Sequence, residues 1–259
     1  MSVVRVFTIA SNVFREVVRD RILWIIGLYA LILGAALQLL PQVAAATEDK
    51  IFLDFGLAAM SVLGLIVAIF VGTGLVNKEI EKRTVLVLIA KPISRSEFIT
   101  GKHIGLSAVL ALLITVMTVI YLALLQLNQI SYPLGSILLA ALYLFLQLSL
   151  VTAIAIALGV FTSSVLATLL SFGIYLMGNL SQDLLAFGRI SRNPALESLT
   201  RNLYLVLPDL SRLDLKNQAV YGFELLPNPL TLITNACYGL LYIVLVLAIA
   251  IMVFSRREF

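Results

Sequence analysis

Charged side chains are scarce in this sequence. Only 12% of its 259 residues are Asp, Glu, Lys or Arg, and 61% are hydrophobic, whereas soluble domains usually carry about 25% charged residues. The composition excludes an ordinary soluble domain and predicts an integral membrane protein. Several stretches approach the roughly 20 apolar residues that a membrane helix needs, and the short alternating segments of a strand barrel are missing. We therefore expect an all-α fold.

Side chains that could carry chemistry are equally rare. Cys237 is the single cysteine, so no intrachain disulfide can form, and His103 is the single histidine. Because a metal or catalytic site needs several converging groups, we interpret His103 as an interfacial residue and expect no metal site. The stretch GTGLVNK at 72–78 lacks the spacing of a phosphate-binding loop, and Glu79 stands where Ser or Thr should follow the lysine. We expect no nucleotide hydrolysis and no cofactor in this chain.

Six apolar stretches are long enough to be membrane spans within one membrane domain, residues 1–259. An amphipathic helix at 1–21 precedes them and should lie in the membrane interface, because apolar residues recur on one face and polar residues, arginines among them, on the other. A charged loop at 77–103 and a mixed polar and apolar segment at 181–228 separate some of the spans. The predicted spans cover residues 22–40, 55–76, 104–127, 134–161, 165–182 and 230–254.

Basic residues predict the orientation, since lysine and arginine collect on the cytoplasmic side of a membrane. Twelve of the 18 lysines and arginines fall in the leader, the 77–103 loop and the C-terminal tail. We therefore expect six spans with both termini in the cytoplasm. The net charge of +4 comes from residues beside hydrophobic segments, so it does not indicate nucleic acid as a partner.

The predicted spans themselves contain no Asp, Glu, Lys, Arg or His. Carriers driven by protons or ions often place ionisable groups near the middle of the membrane, so this absence disfavours such coupling. Two alternatives remain: a transporter driven by a conformational change elsewhere, and a passive scaffold with no transport role.

Small residues form a stripe on the second span. Gly64, Ala68 and Gly72 recur at four-residue spacing, and Gly56 extends the stripe. Such spacing lets helix backbones approach closely. Packing within the chain and contact with another subunit are equally compatible with it.

The stretch KEIEKRTVLVLIAKPISRSEFITGK, residues 78–102, combines charge with a short apolar run at 85–90. Pro92 disfavours helical geometry at Lys91, whereas Ser94 followed by Glu97 is a capping box that should start a new helix leading into the third span. An apolar patch rimmed by charge is typical of a protein docking surface. The run could instead fold back against lipid or the neighbouring spans.

The order of these features resembles the permease subunits of ATP-binding-cassette transporters of the second exporter type, in particular permeases associated with multicopper-enzyme maturation. The loop carries the most specific part of the likeness: Glu79, Glu81, Arg83-Thr84, Pro92-Ile93-Ser94-Arg95 and Gly101-Lys102. In that family the loop after the second span forms a coupling helix, which fits a cleft on a separate ATPase subunit that binds ATP and Mg²⁺. Two permeases pair with two ATPases.

The resemblance implies a bacterial inner-membrane exporter, a homodimer of permeases, and a partly re-entrant extracytoplasmic region at 181–228. The implied docking residues are Glu79, Glu81, Arg83, Val85, Leu86, Leu88, Ile89, Lys91, Pro92, Ser94 and Arg95. The leading hypothesis is thus the membrane subunit of an ATP-driven exporter. One alternative is a non-transporting anchor or scaffold that recruits a cytoplasmic partner. Another is a membrane-embedded enzyme, for which Asp183, Asp209 and Asp214 would be the candidate catalytic groups.

Overall fold

A computed structural model describes residues 2–43, 47–81, 94–191 and 193–256, and every regular element in those ranges is helical. A π-helical turn, Val18–Ile22, joins the first two helices, and two 3₁₀ turns, Leu210–Leu213 and Phe223–Leu225, flank the shortest one. The all-α prediction is confirmed for these residues. The α-helices in chain order are α1 (Val3–Val17), α2 (Leu23–Val43), α3 (Glu48–Glu81), α4 (Arg95–Leu127), α5 (Leu134–Phe161), α6 (Ser164–Asn179), α7 (Ser181–Ile190), α8 (Pro194–Val206), α9 (Lys216–Ala219) and α10 (Pro229–Arg256).

Five helices, α2, α3, α4, α5 and α10, are long and apolar enough to cross a membrane. The 16 residues of α6 give only about 24 Å of helix, short of the roughly 30 Å hydrocarbon core. Together α6 and α7 pass the same test, but they are bent by 61° where they meet. The described part of the chain therefore has five or six candidate spans and is an integral multi-pass membrane protein.

The central helix of the bundle is α5, which is buried along almost its whole length. It packs against α3, α4, α6 and α10, whereas α2 lies at the periphery and exposes residues such as Trp24 and Leu31. Helix α1 runs along the first turns of α4 and buries Val6, Ala10, Val13 and Val17. Phe7 and Val3, two other apolar residues of this helix, are exposed.

The bundle has two ends, which differ in what they carry. The loop end is where α3 ends, α4 begins and α10 ends, and the described parts of the 77–103 loop, residues 77–81 and 94–103, lie there. The opposite end is where α3 begins, α4 ends and α5 begins. Helices α3 and α4 are both longer than the spans predicted at 55–76 and 104–127, and they extend past those limits at the loop end.

Part of the 181–228 segment reaches into the bundle. The Gln147 side chain donates hydrogen bonds to the backbone oxygen of Leu210 at 3.2 Å and to Asn179 Oδ1 at 3.0 Å. Gln147 lies near the midpoint of α5. At a rise of about 1.5 Å per residue, it is about 20 Å along the helix from Leu134. Leu210 and Leu213 are fully buried. The 3₁₀ turn Leu210–Leu213 therefore lies beside the middle of α5, not on the end of the bundle.

Candidate docking site at the loop end

The predicted docking residues are described only at the two flanks of the loop. Glu79 and Glu81 belong to the last turn of α3, Ser94 is the N-cap residue of α4, and Arg95 is its first residue. The remaining predicted residues lie outside the described residues: Arg83, Val85, Leu86, Leu88, Ile89, Lys91 and Pro92.

Helix α4 begins within the 77–103 loop, with the capping box that the sequence predicts. Ser94 Oγ accepts a hydrogen bond from the Glu97 backbone N–H at 3.2 Å, and Glu97 Oε2 accepts one from the Ser94 N–H at 3.0 Å. These two bonds satisfy backbone donors that have no partner within the helix. The predicted capping box is confirmed, and Ser94 is the N-cap residue of α4.

Glu97 also connects α4 to the start of α1. Its Oε1 accepts a hydrogen bond from the Ser2 backbone N–H at 2.6 Å, and the Arg5 guanidinium lies 3.8 Å from its Oε2. The glutamate is only 3% exposed, whereas the Arg5 side chain is 46% exposed, so the ion pair is weaker than the hydrogen bond. The sequence pattern assigned Glu97 to the cap alone, because its partner in α1 lies 95 positions away.

Arg95 connects the same turn of α4 to the end of α10. Its Nη1 donates to the backbone oxygens of Phe254, at 2.8 Å, and of Ser255. Carbonyls in the last turn of a helix have no helical partner, and a cation there interacts favourably with the helix dipole. The guanidinium also lies 5.9 Å from the centre of the Phe254 ring, on which Phe98 stacks at 5.7 Å. The first turn of α4 therefore contacts both α1 and α10.

Two glycines allow α1 to lie close to α4. A Cβ atom on Gly105 would lie 2.7 Å from the Ala10 carbonyl oxygen, and one on Gly101 would lie 2.8 Å from Ile9 Cβ. Their Gly-x-x-x-Gly spacing is the usual sequence signal for such an approach, so this contact could have been predicted from the sequence.

The small-residue stripe of α3 faces α5 of the same chain. A Cβ atom on Gly64 would collide with the Leu148 side chain, and one on Gly72 would lie 3.0 Å from Ala155 Cβ. Ala68, between them, is fully buried. Close packing of α3 on the central helix accounts for these three small residues.

His103, on α4, is buried where this helix packs against α5. Only 6% of it is exposed. Its Nε2 lies 3.1 Å from the backbone oxygen of Ser149, whose hydroxyl in turn lies 3.0 Å from that of Ser107. The sequence could not indicate this, because the partner is on another helix and the flanking Lys102 marked the region as a membrane boundary.

A second polar cluster surrounds Asp209 in the 181–228 segment. Its carboxylate is 3% exposed and lies 3.1 Å from Arg212 Nε. The Asp209 backbone N–H donates a hydrogen bond to the hydroxyl oxygen of Tyr238, on α10, at 2.8 Å. Burial opposes ionisation, but the hydrogen bonds outweigh it and lower the pKa of Asp209. The side chains that donate to the carboxylate are Ser181, Gln182, Tyr204, Ser211 and Arg212.

The three aspartates considered for an enzyme have different surroundings. Asp209 is enclosed by these donors, Asp214 pairs with Lys216, and Asp183 is exposed on α7. The carboxylates of Asp209 and Asp214 are thus each bonded to different neighbours in the fold. Nothing in this arrangement supports an acid and base acting together on a substrate.

Comparison with known proteins identifies the family. The model described as "ABC-2 family transporter protein" matches residues 7–259, which include all the candidate spans, the loop and the 181–228 segment. A search of the curated proteins finds no match to the chain. ABC-2 permeases are membrane components of transporters and lack an ATPase site of their own. The chain therefore belongs to the ABC-2 transporter family, as a membrane permease component of an ABC transporter.

Proposed function

We propose that this chain is one permease of an ATP-driven exporter, in which a separate ATPase subunit that binds ATP and Mg²⁺ docks on the 77–103 loop. One observation carries the proposal: the first turn of α4, at the C-terminal side of the 77–103 loop, is bonded to both the start of α1 and the end of α10. Glu97 holds Ser2, and Arg95 holds the last turn of α10 at Phe254. A displacement of the loop by the ATPase would move this turn, and these contacts would carry the movement to two further helices.

The proposed topology has six spans, with α6 and α7 together as the fifth and with the loop and both termini in the cytoplasm. The distribution of lysine and arginine supports this orientation. The 181–228 segment would then be extracytoplasmic and partly re-entrant, for which the hydrogen bond between Gln147 and Leu210 near the middle of α5 is the supporting contact. A bacterial inner membrane is the proposed location.

A second permease copy would complete the transporter, as in the family the loop resembles. The face of α3 opposite α5 is available for contact with lipid or with that copy, because Phe55, Val62, Ile66 and Phe70 are exposed on it. Within the family, the loop pattern from Glu79 to Lys102 supports a place beside the permeases associated with multicopper-enzyme maturation.

The experiment is coexpression of the full chain with the ATPase subunit, followed by purification of the complex. We expect the double reversal Glu79→Arg and Glu81→Arg to abolish copurification of the ATPase and its ATP hydrolysis, since both residues belong to the proposed docking segment. The matched control is Asp49→Arg, an exposed reversal at the other end of the same helix, which should retain both. Normal assembly and hydrolysis in the double variant would contradict the docking proposal. Capture of a loop-bound partner without an ATPase fold would support the scaffold alternative.

A further inference from the structure

Helices α7 and α8 form a hairpin with a cleft of about 400 Å³ between them. They touch where Gly188 meets Thr200, and a Cβ atom on Gly188 would collide with the threonine hydroxyl. This close contact brings Arg189 of α7 and Arg201 of α8 to the same cleft. The volume is in the range that binds small ligands, about 300–1,000 Å³.

The charges of the cleft have no partner in the part of the chain that the structure describes. The side chains of Arg189, Arg201 and Glu197 make no ion pair and no hydrogen bond with another described residue. Nearby Arg212 differs, because its guanidinium is held by Asp209 and Tyr204. The cleft therefore has two available guanidinium groups and one carboxylate, a net charge that favours an anion. A guanidinium presents a planar set of donors that fits phosphate oxygens.

Two leucines contribute apolar surface to the cleft, and one face of α8 is apolar. Leu185 and Leu205 line the cleft beside the arginines. Leu196, Leu199, Leu203 and Val206 recur along one face of α8, where Leu199 is 56% and Val206 is 77% exposed. An exposed apolar stripe opposite a polar face is typical of a helix that lies in the membrane surface. At that depth the phosphates of lipid headgroups are the most abundant anions.

We propose that the cleft between α7 and α8 binds the phosphate of an anionic phospholipid. Arg189 and Arg201 donate to the phosphate oxygens, and Leu185 and Leu205 contact the glycerol and the first acyl carbons. Glu197, on the rim, opposes binding and limits its strength. The site is distant in sequence from the 77–103 loop and does not depend on docking of an ATPase, so either proposal can fail without the other.

The experiment uses the full chain in phosphatidylcholine nanodiscs that contain phosphatidylglycerol, with native mass spectrometry to count the phosphatidylglycerol molecules that stay bound. Removal of an arginine at a membrane surface weakens binding by about fivefold. We expect Arg189→Gln and Arg201→Gln together to lose one retained phosphatidylglycerol and to leave retained phosphatidylcholine unchanged. We expect Glu197→Gln to strengthen retention by about fivefold, a gain that structural damage would not produce.

The charge-matched control is the double variant Arg15→Gln and Arg19→Gln, at exposed positions near the loop end, which should retain the lipid as the original chain does. Equal retention in the Arg189 and Arg201 variant and in the original chain would overturn the proposal. Unchanged retention in the Glu197 variant would count against it as well. A competition arm with soluble glycerol phosphate separates the two sources of phosphate: displacement of the lipid at equal concentration would show a site for free phosphate esters and overturn the lipid assignment.

Discussion

Replacement of Glu97 by alanine should release the start of α1 from α4. In the folded chain this buried carboxylate accepts hydrogen bonds from the backbone N–H groups of Ser2 and Ser94, and it lies 3.8 Å from the Arg5 guanidinium. Alanine offers none of these contacts. Because the Ser2 contact joins the start of α1 to the first turn of α4, its loss should increase the opening of the N-terminal end of α1 most.

The magnitude follows from the three contacts. Loss of the return arm of the capping box costs at most about 1 kcal/mol. A hydrogen bond to a charged acceptor such as the one from Ser2 contributes about 1.5–3 kcal/mol. The ion pair with Arg5 adds less than about 1 kcal/mol, because that side chain is nearly half exposed. These contacts share one carboxylate and are not additive, so we expect about 2–4 kcal/mol for local opening of α1.

Hydrogen exchange of the amides at residues 3–10, measured by mass spectrometry on the full chain in nanodiscs, reports this opening directly. A loss of 2–4 kcal/mol corresponds to exchange about 30- to 1,000-fold faster. Glu97→Gln should show a smaller increase, since glutamine can still complete a capping box. Glu16→Ala, an exposed position on α1, is the control. Exchange in the Glu97→Ala variant within twofold of that control would refute the assignment of Glu97 as the link between α1 and α4.

Two further predictions concern helix packing and pH. Gly105→Ala should lower the free energy of unfolding of the chain by about 1–3 kcal/mol, since the new Cβ would lie 2.7 Å from the Ala10 carbonyl oxygen. The control Gly27→Ala, whose new Cβ would have no atom within 4 Å, should not lower it. Equal melting temperatures of the two variants would contradict this prediction. Asp209 has a lowered pKa in the folded chain, so its carboxylate stabilises the fold above its ordinary pKa of about 3.9 and loses that effect as the pH falls further. The difference in melting temperature between the original chain and Asp209→Asn should therefore be large at neutral pH and small in acid. A difference that does not change with pH would argue against this role of Asp209.

Local features of the fold could be predicted from the sequence because their causes are local. Long apolar stretches indicated helices that can cross a membrane, since the hydrocarbon core sets both their length and their composition. The capping box at Ser94 and Glu97 depends on two residues three positions apart, and the structure contains both of its bonds. The helical character of the chain and the start of α4 needed no knowledge of packing.

Contacts between distant segments could not be predicted in this way. Arg95 reaches the carbonyl of Phe254, 159 positions away, and Gln147 reaches that of Leu210, 63 positions away. No periodicity encodes such pairs, because they depend on which helices become neighbours. The stretch at 165–182 looked like one continuous span, yet the chain bends after Asn179, where residues from the later 3₁₀ turn pack against it.

Scarcity of charge makes the few polar partners in this protein informative. A buried charge without a partner costs several kcal/mol. The buried carboxylates of Glu97 and Asp209 each accept hydrogen bonds from several donors, and these bonds hold helices together. Arg189 and Arg201 face the opposite condition, since water can solvate them and no described residue pairs with them. Substitutions in the first group should therefore change stability and helix opening, and those in the second should change lipid binding with the fold intact. A variant of Arg189 that unfolds the chain, or one of Glu97 that alters only lipid retention, would show that this division by burial is wrong.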